Sequence, residues 1–164
     1  MAVAARWIRL DRGAASALRA ACAGFAHCQP SRAAPAVLWA PTDEGRCGFA
    51  VVAPLKLAPG RSQRWRSWAL APLIASYRRF GLRAYLDGDG VYLSGRKIAT
   101  SDASMIGECA VVLSSFLPLE CEFMDAFRGC IESQHGWQFD HSWPSAAELE
   151  SIADALAGEK ADAK

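Results

Sequence analysis

Residues 87–101 read DGDGVYLSGRKIATS, and the interpretation of the rest of the chain depends on this stretch. A tight Asp/Gly turn leads into the short β-branched and aromatic run 91–93. A second turn, Ser94-Gly95, follows at once, and Arg96 opens another alternating run. Two strands joined by a two-residue turn form a β-hairpin, so Lys97 is predicted at or near the start of a strand. The turn fixes the backbone there, as a lysine that contacts a ligand requires.

Hydrophobic periodicity and turn residues predict strands and helices on both sides of this hairpin. Glu148 follows Ser145 by three residues, which predicts a capping box at the last helix. The pattern favours an α+β fold with a mixed, mostly antiparallel sheet and helices packed mainly on one face. The predicted strands are 1–10, 36–40, 46–53, 82–86 and 105–113, and the predicted helices are 11–25, 62–80, 119–134 and one capped by Ser145.

The composition predicts one soluble domain. The chain has 164 residues, of which 52% are hydrophobic and 21% charged, enough for a buried core. We expect a single domain over residues 1–157 and a polar tail over 158–164. No apolar run reaches about 18 residues, so no membrane partner is expected. Six cysteines occur without a CxxC motif or zinc-like spacing, which predicts reduced, mostly buried thiols in a cytoplasmic protein.

The two halves of the chain carry opposite charge. Residues 1–86 contain 13 Lys/Arg and three Asp/Glu, a net charge of +10, whereas residues 87–164 contain five and 14, a net charge of −9. The basic half would attract phosphate, an acidic partner domain or nucleic acid, or the two halves cover each other in the fold. No DNA- or RNA-binding motif accompanies the arginines, so nucleic acid is not an expected partner.

The segment Gly95-Arg96-Lys97-Ile98-Ala99 resembles the lysine segment of the biotin/lipoate protein ligase catalytic domain. That segment reads Asn-Asp, a few apolar residues, then Gly-Arg-Lys-Ile/Leu-Ala/Ser-Gly. Gly88-Asp89 falls where the family has Asn-Asp, and Thr100 stands where the family has Gly. The resemblance covers residues 36 to about 117. It implies the ligase-like α+β fold.

The resemblance also implies a reaction and a site. Ligases of this family join ATP and a lipoyl, octanoyl or biotinyl acid as an acyl adenylate and pass the acyl group to a lysine of an acceptor domain. Lys97 is the implied catalytic residue, since its ammonium would neutralise phosphate and polarise the acyl carbonyl. ATP and lipoate or octanoate are the implied small ligands, and a lipoyl-acceptor or carrier domain is the implied protein partner. The implied cofactor-binding residues are Asp89, Gly95, Arg96, Thr100 and Ser101.

Two expectations concern the surroundings of this site. The acyl chain would lie between the sheet and the helix that carries Trp65, Trp68 and Tyr77. The family has an Arg-Arg-x-x-Gly-Gly-Gly-type or Gly-Arg-Gly-Arg-type loop for the adenylate phosphate, but this chain has only Gly45-Arg46-Cys47-Gly48. That pattern favours an ordinary hairpin turn. The Asp/Gly turn at 87–90 lacks the ligand spacing of a calcium loop, so no metal is expected there.

Two alternatives stay open. A cysteine-dependent octanoyl transferase of the same fold would need no ATP and would use its lysine as a base. Cys109 is near Lys97 in sequence and Cys121 and Cys130 are on the predicted helix that follows, although inert buried thiols are the favoured interpretation. A non-catalytic relative would act as a protein-binding module, and the opposite charges of the two halves would suit charged protein partners.

Overall fold

The computed structural model describes residues 1–11, 17–30, 33–119 and 122–162. These residues contain nine strands and four α-helices. The strands are β1 (Val3–Arg9), β2 (Ala36–Pro41), β3 (Cys47–Pro54), β4 (Ala84–Asp87), β5 (Gly90–Leu93), β6 (Arg96–Thr100), β7 (Asp102–Ile106), β8 (Cys109–Phe116) and β9 (Trp137–His141). The helices are α1 (Leu18–His27), α2 (Trp65–Arg79), α3 (Phe123–His135) and α4 (Ala146–Asp162).

Six strands form one sheet in the order β7-β8-β3-β2-β1-β9, and β4, β5 and β6 form a separate three-stranded sheet. Strand β1 runs parallel to both β2 and β9. The other neighbouring strands are antiparallel. The α+β class and the mixed, mostly antiparallel sheet predicted from the sequence are confirmed.

Both faces of the large sheet are covered, two helices to a face. Alternate residues of β3 belong to different core clusters: Phe49 and Val51 pack with α2 and α3, whereas Ala50 and Val52 pack with α1. Every residue of β3 is therefore buried, as in strands covered on both sides. Helix α4 packs on α1, so two helices lie on each face rather than mainly on one as expected.

Aromatic side chains fill the space between the sheet and the α2–α3 layer. The ring of Phe127 lies 5.3 Å from both Phe49 and Phe116, measured between centroids. Tyr77 of α2 is fully buried, and its hydroxyl donates to the carbonyl of Leu117 at 2.9 Å. The acyl chain was expected in this space. The structure corrects that expectation, because core rings occupy it.

A buried carboxylate joins α4 to the other face of the sheet. Ser145 and Glu148 form the predicted capping box, with the backbone N–H of Ser145 donating to Glu148 at 2.7 Å. Glu148 also accepts two hydrogen bonds from the Arg6 guanidinium of β1, at 2.5 and 2.9 Å, and one from Gln29. Burial alone would raise the pKa of Glu148, but these hydrogen bonds and the Arg6 charge lower it to about 2. The helix is thus fixed to β1 and α1.

Element boundaries differ from the prediction in two places. Residues 102–116 form two strands, β7 and β8, joined by a turn at Gly107 (φ +57°), and not the single strand predicted from Met105. The pair Gly107-Glu108 marks this turn in the sequence, but the prediction included it in the strand. Helix α4 continues to Asp162, so residues 158–162 are helical. The predicted helix starts at Asp11 and Leu119 adjoin residues 12–16 and 120–121, which lie outside the described residues.

Candidate functional site

The predicted hairpin is present as strands β5 and β6. Its turn residues Ser94 and Gly95 have φ values of +50° and +84°, the left-handed pair that a two-residue hairpin turn needs. Lys97 is the second residue of β6 and lies opposite Tyr92 of β5. The sequence therefore located Lys97 in its strand.

The Lys97 side chain lies on the outer face of the small sheet. Its Cε and the ring of Tyr92 both pass over Gly90, where an added Cβ would lie 2.9 and 2.8 Å from them. The amine is 3.5 Å from Asp89 Oδ1, and the two side chains are 45% and 55% exposed. Lys97 is therefore a half-exposed cation held by one long ion pair, and it lines none of the cavities described below.

Two other predicted residues, Thr100 and Ser101, line a cleft of about 420 Å³ where β6 passes into β7. The cleft also contains hydroxyl groups of β8, and Arg19 at its edge lies 2.6 Å from Asp102. Its walls include Gly48, Thr100, Ser101, Asp102, Ser114 and Ser115. Polar walls with a few apolar neighbours suit a small ligand that carries hydrogen-bonding groups.

Asp89 connects this cleft to Lys97. The backbone N–H and the hydroxyl of Ser101 both donate to the carbonyl oxygen of Asp89, at 2.6 and 2.9 Å. The carboxylate of the same residue contacts the Lys97 amine. Asp89, Lys97 and Ser101 are thus brought together, with Thr100 beside them. Gly95 and Arg96 lie apart from the cleft, at the exposed hairpin end.

Arg46 is a structural residue of this region that the sequence did not assign. Its guanidinium donates to the Ile98 carbonyl at 2.5 Å and to the Ser115 hydroxyl at 2.8 Å, so it fastens β6 to β8. The preceding turn is closed on itself, because Thr42 and Arg46 exchange backbone and side-chain hydrogen bonds at 2.8 and 3.2 Å. This turn is ordinary, as interpreted from its sequence, and it fits a nucleotide phosphate poorly because these N–H groups already have acceptors.

A second cavity, of about 310 Å³, lies where the parallel strands β1, β2 and β9 end. Its walls are Trp7, Arg9, Trp39, His141, Ser142 and Trp143. The Arg9 guanidinium lies 5.2 Å from the Trp39 ring centre, in cation–π geometry. Sequence reasoning missed this cavity, because only the parallel pairing of β9 with β1 brings residues 141–143 beside Arg9.

The buried cysteines of the described residues and His135 are poorly placed for nucleophilic or base chemistry. Burial raises the pKa of Cys22 to about 12 and also raises the pKa of Cys47 and Cys109. Cys130 is buried and Cys28 exposed, while Cys121 lies outside the described residues. Burial lowers the pKa of His135 to about 4, and its ring stacks on Trp68 at 4.7 Å. Such a histidine is neutral at pH 7 and a weak base.

Two further features were searched for in the described part of the chain. No group of three His, Cys, Asp or Glu side chains there has the arrangement of a metal site. None of the described helices is long and apolar enough to cross a bilayer.

The fold is that of the lipoate and biotin protein ligase catalytic domains. A bipartite lipoate protein ligase of Thermoplasma acidophilum superposes with a TM-score of 0.80 over 94% of this chain and 92% of that chain, at 10% identity. A lipoate-protein ligase A solved with ATP gives 0.78 over 96% and 95%, at 10% identity. The Helicobacter pylori biotin acetyl coenzyme A carboxylase synthetase gives 0.52 over 96% and 81%, at 12% identity.

The TM-scores establish a shared fold, and at identities of 10–12% the activity has to be argued from the site. No protein-family model and no curated protein sequence matches the chain.

Proposed function

We propose that this protein is lipoate/biotin-ligase-like in function and binds a lipoyl- or octanoyl-type acyl group, which it transfers to a lysine of a partner protein. One observation carries the proposal. Asp89 links the Lys97 cation to a hydroxyl-lined cleft, on a fold whose solved examples include a ligase with bound lipoic acid and a ligase described with its E2 lipoyl domain.

The chemical role of Lys97 follows from charge. When the acceptor amine attacks the acyl carbonyl, a C–N bond forms, the bond to the leaving group breaks with its electron pair, and the leaving group takes up the proton that the amine loses. The carbonyl oxygen gains negative charge in the transition state, and an ammonium nearby stabilises it. Thr100 would donate a hydrogen bond to the same acyl group, Ser101 would hold Asp89 in place, and Asp89 would orient Lys97 until the ligand replaces their contact.

Whether the protein binds ATP decides which acyl donor it can use: a free acid needs ATP, and an activated acyl group does not. The closed Thr42–Arg46 turn is a poor phosphate site, because the N–H groups of Thr42 and Arg46 already have acceptors within the turn. Arg96 and Lys97 remain as exposed cations at the hairpin. A donor that is already activated, such as an octanoyl carrier thioester, would need no phosphate cradle.

Mass spectrometry of an isolated lipoyl domain tests the proposal. The domain is incubated with the protein and either ATP plus octanoate or an octanoyl carrier. Octanoylation of its lysine in either arm supports the proposal, and Lys97→Ala should abolish it. An acyl-cysteine trapped on this chain would instead identify the cysteine-dependent transferase. No modification in either arm contradicts the proposal.

The second candidate is a non-catalytic protein-binding module. The half-exposed position of Lys97 and the closed β2–β3 turn favour it. A protein that only binds a partner needs neither a buried catalytic lysine nor a phosphate site. It predicts that the lipoyl or carrier domain binds with unchanged affinity when Lys97 is replaced by alanine.

A further inference from the structure

A cationic groove lies along α2 on the same side of the molecule as the small sheet. Its floor is aliphatic and its rim is basic: Ala71, Ile74, Ala75 and Leu86 form the floor, and Arg78 and Arg79 form the rim. The volume is about 560 Å³. We name these six residues the α2 groove.

The charge around the α2 groove is uncompensated. Residues 45–86 contain eight Lys/Arg and no Asp or Glu. The ion pairs in which both partners are described involve Arg6, Arg19, Lys97 and Arg128, and none of the arginines of α2. The opposite charges of the two halves of the chain therefore do not cancel here. A cationic surface with an apolar floor remains exposed to a partner.

The α2 groove borders the first strand of the small sheet, since Leu86 of β4 lines it. Arg78 also lines a neighbouring cavity of about 450 Å³, together with Arg83 and Tyr85. Tyr85 stacks on Tyr92 with 5.2 Å between ring centres, and Tyr92 lies opposite Lys97. Tyr85, Tyr92 and Lys97 therefore share the outer face of the small sheet, whereas Leu86 of the α2 groove lies on the opposite face.

The chemistry of the groove favours a protein over nucleic acid. Bases bind to exposed aromatic rings, but Trp65 and Tyr77 are buried, Trp68 is stacked on His135, and Tyr85 is stacked on Tyr92. Small aliphatic residues between arginines instead suit an amphipathic helix, whose apolar stripe packs on the floor while its acidic flanks meet the rim.

We propose that the α2 groove docks an acidic amphipathic helix of a partner protein. The inference rests on the proposed function only in naming the acyl group that this partner carries or receives. Docking itself requires no acyl group. Apolar contact on the floor provides affinity, and the arginines select acidic partners and speed their association.

Fluorescence anisotropy tests the docking with three labelled probes: a helical peptide with a Leu stripe and Glu on its other faces, the same peptide with Gln in place of Leu, and single-stranded RNA of equal charge. Wild-type protein should bind the Leu/Glu peptide about tenfold tighter than either other probe. Arg79→Glu with Arg83→Glu should weaken that binding about tenfold.

The matched control is Lys56→Glu with Lys160→Glu, which lowers the formal net charge of +1 by the same four units outside the groove. It should change affinity less than about twofold. An equal loss in both double variants, tighter binding of RNA, or no peptide binding overturns the proposal. Because these probes carry no acyl group, failure of acyl transfer and failure of docking are separate results.

Discussion

Two ion pairs in this molecule have different construction. The Glu148 carboxylate at the start of α4 is 7% exposed and accepts hydrogen bonds from Arg6, Gln29 and the Ser145 backbone. The Asp89 carboxylate on the small sheet is 55% exposed and contacts the Lys97 amine at 3.5 Å. The first pair joins three elements of the fold, and the second lies at a surface hairpin.

The Arg6–Glu148 pair stabilises the fold, whereas the Asp89–Lys97 pair leaves its lysine available to a ligand. A buried charge with several partners is costly to disrupt, whereas an exposed single pair contributes about 0–1 kcal/mol. Lys97 can therefore exchange Asp89 for a ligand at small cost, but Arg6 cannot leave Glu148 without loosening α4.

Removing Glu148 should have the largest effect. Glu148→Ala leaves the Arg6 guanidinium partly buried without its carboxylate and removes the capping box, so the free energy of unfolding should fall by about 3 kcal/mol. Urea denaturation measures it. Asp89→Ala is the matched control and should lose no more than about 1 kcal/mol. Equal losses in the two variants would contradict the contrast.

The α1–α4 contact that surrounds the buried pair should be nearly as sensitive. A Cβ on Gly24 would lie 2.5 Å from the Ser151 carbonyl oxygen, so Gly24→Ala should destabilise by about 1–3 kcal/mol. Gly158 of α4 has nothing within 4 Å of such a Cβ, and Gly158→Ala should stabilise by about 0.5–1 kcal/mol. Thermal melts compare the two. A neutral Gly24→Ala would mean that the helices are not closely packed.

Acid should weaken the fold in two stages. His135 has its pKa lowered to about 4, so the unfolded chain binds the extra proton and stability falls between about pH 6.5 and 4. Glu148 has its pKa lowered to about 2, so its contribution is lost from about pH 4.5 downward. Urea midpoints measured across pH should lose the first stage in His135→Phe and the second in Glu148→Gln. A stability that is constant from pH 7 to 4 would be inconsistent with a buried neutral His135.

The smallest effect on stability is expected at Lys97. Lys97→Ala removes one exposed pair and leaves the β5–β6 turn intact, so the free energy of unfolding should change by less than about 1 kcal/mol. Urea denaturation alongside Glu148→Ala provides the comparison. A larger loss would make Lys97 a structural residue.

Local features were predictable from the sequence, and long-range ones were not. The Ser145–Glu148 capping box and the Ser94-Gly95 turn each depend on neighbours a few residues apart. The Arg6–Glu148 contact joins residues 142 positions apart, so nothing in either local pattern indicated it. The same holds for the division of the helices between two faces, which only the strand order reveals.

The candidate site was likewise partly predictable. Thr100 and Ser101 were predicted from the motif around Lys97, and both line the cleft. They lie three and four residues after Lys97, so the local pattern was enough to place them at the end of β6. Arg46 and the cavity of Trp39 depend on strands that are distant in sequence. The expected acyl slot was wrong because the rings of Phe116, Phe123 and Phe127 fill the space beside α2.

We predict that the Lys97 cation contacts the acyl ligand. Calorimetry can test this by titrating lipoate or octanoate, with and without ATP, into wild-type protein and into Lys97→Ala. Both proteins should unfold at the same urea concentration. Wild type should bind the acid in at least one condition, and Lys97→Ala should lose about tenfold or more in affinity, since it lacks the cation that meets the acyl group. Equal affinity in the two proteins, or no binding by wild type, would contradict the role of Lys97.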